Sequence, residues 1–297
     1  MATALITGMN GFTGQYMAEE LRSAGYDVIG LASRSSKGGG SGVYHCDLLD
    51  RDGLVKVFAQ VKPDLVVHLA AIAFVAHGDV DAIYRTNVVG TRNLLDAIVK
   101  SSHIPRSVLL ASSANIYGNA VVEPITESVI AAPANDYAVS KLSMEYMAKL
   151  WFEQLPITLV RPFNYTGAGQ SLNFLIPKIV DHFKRRATEL ELGNINVIRD
   201  FSDVRSVVRR YKLLLESGIH GDVFNVCSGQ GHSLLDVLQM MREISGHDLD
   251  VRVNPAFVRA NEVHRLIGSS EKLDIAVGKV ADIPLRETLT WMLNSAL

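Results

Sequence analysis

The chain reads as an α/β protein, a Rossmann-like doubly wound parallel sheet with a smaller C-terminal α/β lobe. Three observations predict it. Short apolar runs alternate with helix-period segments through the first half of the chain, the βαβ pattern of a parallel sheet. The first such run passes straight into a glycine-rich turn that opens a helix. The chemically suggestive side chains fall just beyond strand ends, where ligands collect in open parallel sheets.

The first strand, 2–7, has a buried-strand composition. It runs into Gly8-Met9-Asn10-Gly11-Phe12-Thr13-Gly14 and then an amphipathic helix to about Ala24. This is G-x-x-G-x-x-G at a strand-to-helix turn. Its glycines allow close backbone approach, and the helix N-terminus offers amide donors and a positive dipole end to a pyrophosphate. Further strands are predicted at 27–31, 43–45, 65–69, 107–111 and 157–161, and helices at 51–61, 81–101 and 137–153. After Arg161 the alternation loosens into a mixed region with helices near 203–215 and 233–244. The predicted division is a dinucleotide-binding domain over 1–162, to which some later segments return, and a substrate lobe made mainly of 163–297. Ser35 to Gly42 is the one low-complexity stretch, a surface loop by composition. No internal repeat is visible.

Composition bounds the function. Hydrophobic residues make up 48% and charged residues 20% of 297, with a formal net charge of -2. A sizeable core is available, and nothing argues for a nucleic-acid or membrane partner. No apolar run is long enough to span a bilayer, and a first strand at the very start is expected to leave no room for a signal peptide. Cys46 and Cys227 are the only cysteines. They are too few and too distant for a disulfide framework or a metal cluster, so two buried thiols, no metal and a cytoplasmic location are expected.

Tyr137 and Lys141 form Y-x-x-x-K on a predicted helix. Residues four apart share a helix face, so phenol and ammonium can point into one cleft. A fixed positive neighbour lowers a tyrosine pKa, which gives an acid/base usable near neutrality. Ser113, just past the 107–111 strand, could hydrogen-bond a substrate carbonyl oxygen beside Tyr137; serines there also commonly form turns.

In order along the chain, these residues resemble the extended short-chain dehydrogenase/reductase family, and the resemblance covers essentially all of it. It also rests on Asp47-Leu48, Leu69-Ala70-Ala71, the segment from Thr86 through Asn87 to Leu95, Arg161-Pro162-Phe163-Asn164 and Arg199-Asp200-Phe201. The resemblance implies a catalytic triad of Ser113, Tyr137 and Lys141. It implies a cofactor site from Gly8, Asn10, Gly11, Phe12, Gly14, Ser33, Arg34, Asp47, Leu48, Leu69, Ala70, Ala71, Asn87, Tyr137 and Lys141. It also implies a nucleotide-diphosphate sugar as substrate, with Ser112 and Ser113 near the ketone, Asn164 and Arg199 on the diphosphate, and Arg259 and Glu262 on the nucleoside. Arg199 as a surface ion-pair partner, and Arg259 with Glu262 as an exposed pair, are the plain alternatives.

Within that family the chain looks most like GDP-4-keto-6-deoxy-D-mannose reductases, through Gly167-Ala168-Gly169-Gln170, Val197 to Val204, Asn225 to Gly229 and Val258 to Val263. Three departures stand out. Tyr165 follows the Asn where a histidine is usual, Ala168 replaces a proline, and Lys279 replaces a tryptophan. A 4,6-dehydratase would need acidic residues directly after the catalytic hydroxyl, and a GDP-fucose synthase a cysteine nearby. Ala114 and Asn115 supply neither, so plain carbonyl reduction is expected.

At the end of strand two an NAD enzyme usually places an acid for the ribose 2′-hydroxyl. This chain reads Ala32-Ser33-Arg34-Ser35, which favours NADPH and leaves NADH possible. Two other readings stay open: a nucleotide-sugar 4-epimerase with tightly bound NAD, and a noncatalytic dinucleotide-sensing regulator, against which the presence of both Tyr137 and Lys141 argues. The resemblance further implies a homodimer through the helices at 81–101 and 137–153, with Ile83, Val88, Leu94, Leu142, Met147 and Leu150 as candidate contacts.

Overall fold

Strands whose side chains alternate between two apolar faces form the centre of the fold. The computed structural model describes residues 1–33, 42–73, 78–257 and 263–295. The first half contains β1 (Thr3–Thr7), α1 (Phe12–Ser23), β2 (Asp27–Ala32), β3 (Val43–His45), α2 (Arg51–Val61), β4 (Leu65–His68), α3 (Val80–Tyr84), α4 (Thr91–Lys100), β5 (Ser107–Ala111), α5 (Asp136–Lys149) and β6 (Ile157–Pro162). Then come β7 (Asn164–Thr166), α6 (Leu175–Lys184), β8 (Glu189–Leu192), β9 (Ile198–Asp203), α7 (Val204–Glu216), β10 (Asp222–Val226), β11 (Gly231–Ser233), α8 (Leu234–Ser245), β12 (Asp250–Val253), β13 (Arg265–Leu266), α9 (Glu271–Val277) and α10 (Leu285–Asn294).

Seven strands form one parallel sheet in the order β10-β6-β5-β4-β1-β2-β3. The order reverses at β1, the first strand, which places the glycine turn at the switch point where such sheets open a crevice. Alternation then sorts the side chains. Ala4, Ile6, Leu65, Val67 and Leu109 pack with α1 and α7 through Met17, Leu21, Val207 and Tyr211. Leu5, Val66, Val108 and Leu110 pack on the other face with α2, α4 and α5 through Phe58, Leu94, Leu95 and Met144.

Beyond the sheet, β9 pairs with β7 and β13 in parallel and with β11 antiparallel, while β8 and β12 form a separate parallel pair. A third apolar cluster joins α6, α8 and α10 through Ile179, Phe183, Val237, Met241 and Leu289.

The segment predicted as one helix over 81–101 is continuous but not uniform. A wide, π-type turn over Arg85–Gly90 separates α3 from α4. Such an extra residue in a turn often marks a functional position, and here it falls on Asn87. The helix predicted over 137–153 stops at Lys149.

Two of the six candidate dimer contacts are already used within the chain. Ile83 is buried, and Leu94 lies in the core beneath the sheet. Val88, Leu142 and Met147 are half-buried. Leu150, 77% exposed, shares the outer face of α5 with Tyr146, 65% exposed, and Val89 is exposed on the π-type turn. Among the described residues no helix is long and apolar enough to cross a membrane.

Candidate active site

The glycine turn is shaped by backbone demands that only glycine meets. Gly8 has φ +72°, and a Cβ on Gly14 would lie 2.2 Å from the Gly8 carbonyl oxygen. Any side chain there would force α1 away from the turn. Gly8 N–H donates to the Leu31 carbonyl at 3.0 Å, which ties the turn to β2, and Gly11 caps α1 without a side chain over its N-terminal amides. The result is a cradle that a Cβ would fill, with a helix dipole behind it, and it fits a pyrophosphate. Phe12 stacks on Tyr165 with ring centroids 6.2 Å apart, and the Thr13 hydroxyl lies 2.8 Å from the Tyr165 hydroxyl. The departure at Tyr165 therefore clamps the glycine turn to β7. Ala168 accepts a hydrogen bond from the Tyr16 hydroxyl at 2.7 Å, and Lys279 is exposed.

Ser113 and Tyr137 come together at the end of β5. Both are buried, and their hydroxyls are hydrogen-bonded. Ser113 Oγ also accepts the Asn115 N–H at 3.2 Å, as the cap of a short 3-10 turn over Ala114–Tyr117. Asn135 caps α5 by accepting from Ala138 N–H at 2.9 Å, which starts the helix so that Tyr137 and Lys141 lie one turn apart. Lys141 Nζ donates to the Ala111 carbonyl at 2.8 Å, two residues before Ser113.

The expected depression of the Tyr137 pKa by Lys141 is not what governs this pair. Burial pushes the Tyr137 hydroxyl up to about 12, with the Ser113 hydrogen bond pulling the other way. Burial lowers Lys141 to about 8, opposed by Glu145 one turn further on. Burial, rather than the charge of the neighbour, is therefore the first influence on both groups.

The other expected cofactor residues sit around the strand ends. Ala70 N–H donates to Thr7 Oγ1 at 3.1 Å, and Leu69 N–H to the Thr7 carbonyl at 3.3 Å. Ala71 follows, half-buried. Asn87 is buried and pairs with both backbone groups of Ile72. Asp47 is exposed and accepts from Leu49 N–H, while Leu48 is buried and its carbonyl accepts from Asn93. Asn10 accepts through its carbonyl from Gln15, and Ser33 lies exposed at the end of β2. Arg34, with the loop residues through Ser41, lies outside the described residues.

Of the substrate candidates, Ser112 Oγ and Asn164 Nδ2 are buried and have no hydrogen-bond partner among the described residues. Leaving such a group unsatisfied costs about 1–3 kcal/mol, so both are poised for a polar ligand group. Arg199 is held by the backbone around it. Its guanidinium donates to the backbone carbonyls of Ile198 and His264, at 3.0 and 3.1 Å, and to that of Val263. It braces the chain directly after 258–262, the segment that carries Arg259 and Glu262 and lies outside the described residues.

Two polar groupings around α5 escape a motif reading. On one side, Glu145 makes a two-pronged pair with Arg161, at 2.9 Å to Nε and 2.7 Å to Nη2. Arg161 also donates to the Tyr117 hydroxyl at 2.8 Å, which donates to Asn225 Oδ1 at 2.7 Å. The signal was present in the sequence, because Glu145 continues the Tyr137, Lys141 spacing by one more turn. On the other side lie Thr7, His68, Thr91 and Ser140, all buried. His68, a polar residue ending the apolar run Leu65-Val66-Val67, was the readable sign there. Cys46 and Cys227 are buried thiols not joined in a disulfide, and no group of three metal-ligating side chains occurs among the described residues.

A parallel sheet with a glycine cradle at its switch point, and a hydroxyl pair beside a buried lysine at the end of β5, defines a dinucleotide-dependent oxidoreductase. Residues 4–227 match the NAD dependent epimerase/dehydratase family. The chain belongs to that family, a branch of the extended short-chain dehydrogenases/reductases, and is an enzyme. It is 35% identical to the GDP-6-deoxy-D-talose 4-dehydrogenase of Aggregatibacter actinomycetemcomitans, over 91% of this chain and 89% of that one. It is 32% identical to the GDP-6-deoxy-D-mannose reductase of Pseudomonas aeruginosa, over 97% and 95%. Among solved structures, a candidate epimerase from Burkholderia cenocepacia is 49% identical with a TM-score of 0.94, over 99% and 97%. The structure of RMD from Pseudomonas aeruginosa complexed with NADPH is 32% identical with a TM-score of 0.87, over 99% and 96%.

Proposed function

We propose that this enzyme reduces the C4 ketone of GDP-4-keto-6-deoxy-D-mannose to GDP-D-rhamnose, with NADPH as the favoured reductant and NADH as a possible one. The observation that carries the reading is the buried Ser113–Tyr137 hydroxyl pair followed by Ala114 and Asn115. It can orient and protonate a ketone oxygen, and those two positions offer no carboxylic acid to move protons at carbon. The names of the GDP-deoxysugar relatives support the substrate class, and the NADPH complex of a structural neighbour supports the cofactor.

When bound, the dinucleotide supplies the hydride. Gly8, Asn10, Gly11, Phe12 and Gly14 would hold its pyrophosphate, Ser33, Arg34, Asp47 and Leu48 its adenosine end, and Leu69, Ala70, Ala71 and Asn87 its middle. Ser113 orients the ketone. Tyr137, whose raised pKa keeps it protonated at neutral pH, gives its proton to the ketone oxygen. Lys141, still charged at neutral pH, adds positive potential beside that oxygen and a donor for ribose hydroxyls. Ser112, Asn164, Arg199, Arg259 and Glu262 serve the sugar nucleotide. In this reading residues 1–162, with β10 and α7 returning, form the dinucleotide domain, and 163–297 mainly the sugar-nucleotide lobe. Two copies associate through the outer face of α5, where Tyr146 and Leu150 are exposed, together with Val89 exposed on the π-type turn.

A second reading, a nucleotide-sugar 4-epimerase with retained NAD, is favoured by the naming of the 49% identical structure. Screening GDP-, UDP- and dTDP-linked 4-keto-6-deoxy sugars for NADPH oxidation tests the first reading. Consumption with the GDP sugar supports it. Interconversion of 4-hydroxy sugars without added cofactor would replace it with the second.

A further inference from the structure

Five buried side chains between the glycine turn and α5 form a hydrogen-bond chain whose directions can be worked out from donor chemistry alone. Thr91 Oγ1 lies 2.8 Å from the Asn87 carbonyl, which can only accept, so the Thr91 proton points there. Thr91 Oγ1 is then the acceptor for His68 Nε2, 2.8 Å away, and the ring proton must sit on Nε2. At the other ring nitrogen, Thr7 Oγ1 stands 2.7 Å from Nδ1 and already accepts the Ala70 N–H at 3.1 Å. Thr7 therefore gives its own proton to an unprotonated Nδ1. From Asn87 the chain continues: Nδ2 donates to Ser140 Oγ at 3.0 Å, and Ser140 Oγ donates to the carbonyl of Tyr137 at 2.7 Å. Asn87 is also held by Ile72, whose N–H it accepts at 2.9 Å and whose carbonyl it reaches at 3.2 Å.

Each polar atom along this path is matched, and the path joins five pieces: the end of β1, the end of β4 with the loop after it, the π-type turn, the start of α4, and α5. We propose that His68 is a positioning residue for hydride transfer, locked as the Nε2–H tautomer between Thr7 and Thr91 so that the dinucleotide-binding strand ends keep a fixed relation to Tyr137. The proposal rests on the reductase reading for the word hydride, and on the bond directions for the tautomer.

Two features of the surroundings agree. The imidazole is buried, and Lys141 is the charged group whose field it feels; burial first and that charge second lower its pKa to about 3. A protonated ring would fill both acceptor positions of Thr7 Oγ1, with Ala70 N–H and Nδ1–H, and leave the Thr7 proton with no acceptor among the described residues. The neutral Nε2–H ring is the form in which each proton of the chain has an acceptor.

The first test is independent of turnover. Ring ¹⁵N shifts of His68 in the histidine-labelled enzyme, with and without NADPH, should report a neutral Nε2–H imidazole from pH 5 to 8. An Nδ1–H tautomer, or protonation within that range, overturns the proposal. The second test uses single-turnover reduction of GDP-4-keto-6-deoxy-D-mannose. Thr91→Val should slow hydride transfer about tenfold or more while NADPH affinity stays within about threefold, because small displacements of reacting groups are costly. Thr91→Ser should restore the rate to within about twofold of the parent. Ser140→Ala interrupts the same chain, so the double variant should lose less than the product of the two single losses. A lowered Tm with an unchanged rate per folded enzyme, or fully multiplicative losses, would show the chain to be structural only. If Thr91→Val does not fold, Ser140→Ala and the ¹⁵N tautomer decide. Failure of the parent enzyme to turn over the GDP sugar would count against the reductase reading and leave the tautomer result standing.

Discussion

The two sides of α5 are held by buried polar networks of opposite kind. Toward β6 the contacts are ionic: Glu145 and Arg161 share two hydrogen bonds, and Tyr117 and Asn225 extend them. Toward β1 and β4 they are neutral, running from Thr7 through His68, Thr91 and Asn87 to Ser140. The contrast follows from what each side adjoins. A buried charge tolerates its site only while paired, so the ionic side locks α5 to the sheet at the cost of a heavy penalty if either partner is lost. The neutral side borders Lys141, where a second positive charge would be repelled, and it is built from groups that relay direction without charge. One network fixes where the helix sits; the other sets how it faces the cofactor strands.

The largest expected effect falls on the residue between them. Tyr137→Phe should lower single-turnover reduction by about 10² to 10⁴ while NADPH binding changes little, since only the proton donor is removed. A Phe variant that keeps most of its activity would dissolve the distinction between site and support.

Next comes the ionic side. Glu145→Ala leaves Arg161 charged and unpaired in the interior and should cost about 3–5 kcal/mol in chemical denaturation. Thr91→Val, on the neutral side, should cost about 1–3 kcal/mol, the penalty of unmatched polar groups. Equal losses would mean the two networks are not different in kind.

Acid separates them further. His68 is held at about 3 in the fold against about 6.5 when unfolded, so between those values the unfolded chain binds a proton that the folded chain does not. The stability this neutral ring contributes is fully present above pH 6.5 or so and is lost as pH falls toward 3, at a slope near 1.4 kcal/mol per pH unit. His68→Gln should flatten the stability profile around pH 5 by about that slope. Parallel profiles for the two proteins would contradict the placement of His68.

The smallest effect lies away from both networks. Arg34→Ala should raise the KM for NADPH by about tenfold and leave NADH within a few fold, because a guanidinium on a 2′-phosphate contributes roughly 1.5–3 kcal/mol. Equal weakening of both cofactors would make Arg34 a loop support.

Much of this architecture was legible in the residues. The runs read at 43–45, 107–111 and 51–61 coincide with β3, β5 and α2: the short apolar run Val108-Leu109-Leu110 marks a buried strand, and the amphipathic period marks the helix. Y-x-x-x-K and the serine after β5 led to the hydroxyl pair. Other features were hidden for physical reasons. The π-type turn at Arg85–Gly90 has no sequence period of its own, and it arises where Thr91 bonds back to the Asn87 carbonyl. The Lys141–Tyr137 expectation reversed because pairwise charge reasoning omits burial, which acts on both groups. Ile83 and Leu94 have the spacing of a dimer face, yet spacing alone cannot say which side of a helix meets its own sheet.

The central claim is that hydride passes to C4 of a GDP-linked ketone sugar while Tyr137 supplies the proton. Reduction of GDP-4-keto-6-deoxy-D-mannose with NADPH deuterated at nicotinamide C4, followed by proton NMR of the product, tests it most directly. The account predicts one deuterium at sugar C4, one NADPH oxidised per product, and the coupling pattern of GDP-D-rhamnose. Turnover of a 4-hydroxy sugar nucleotide with no added cofactor and no deuterium gained would contradict it.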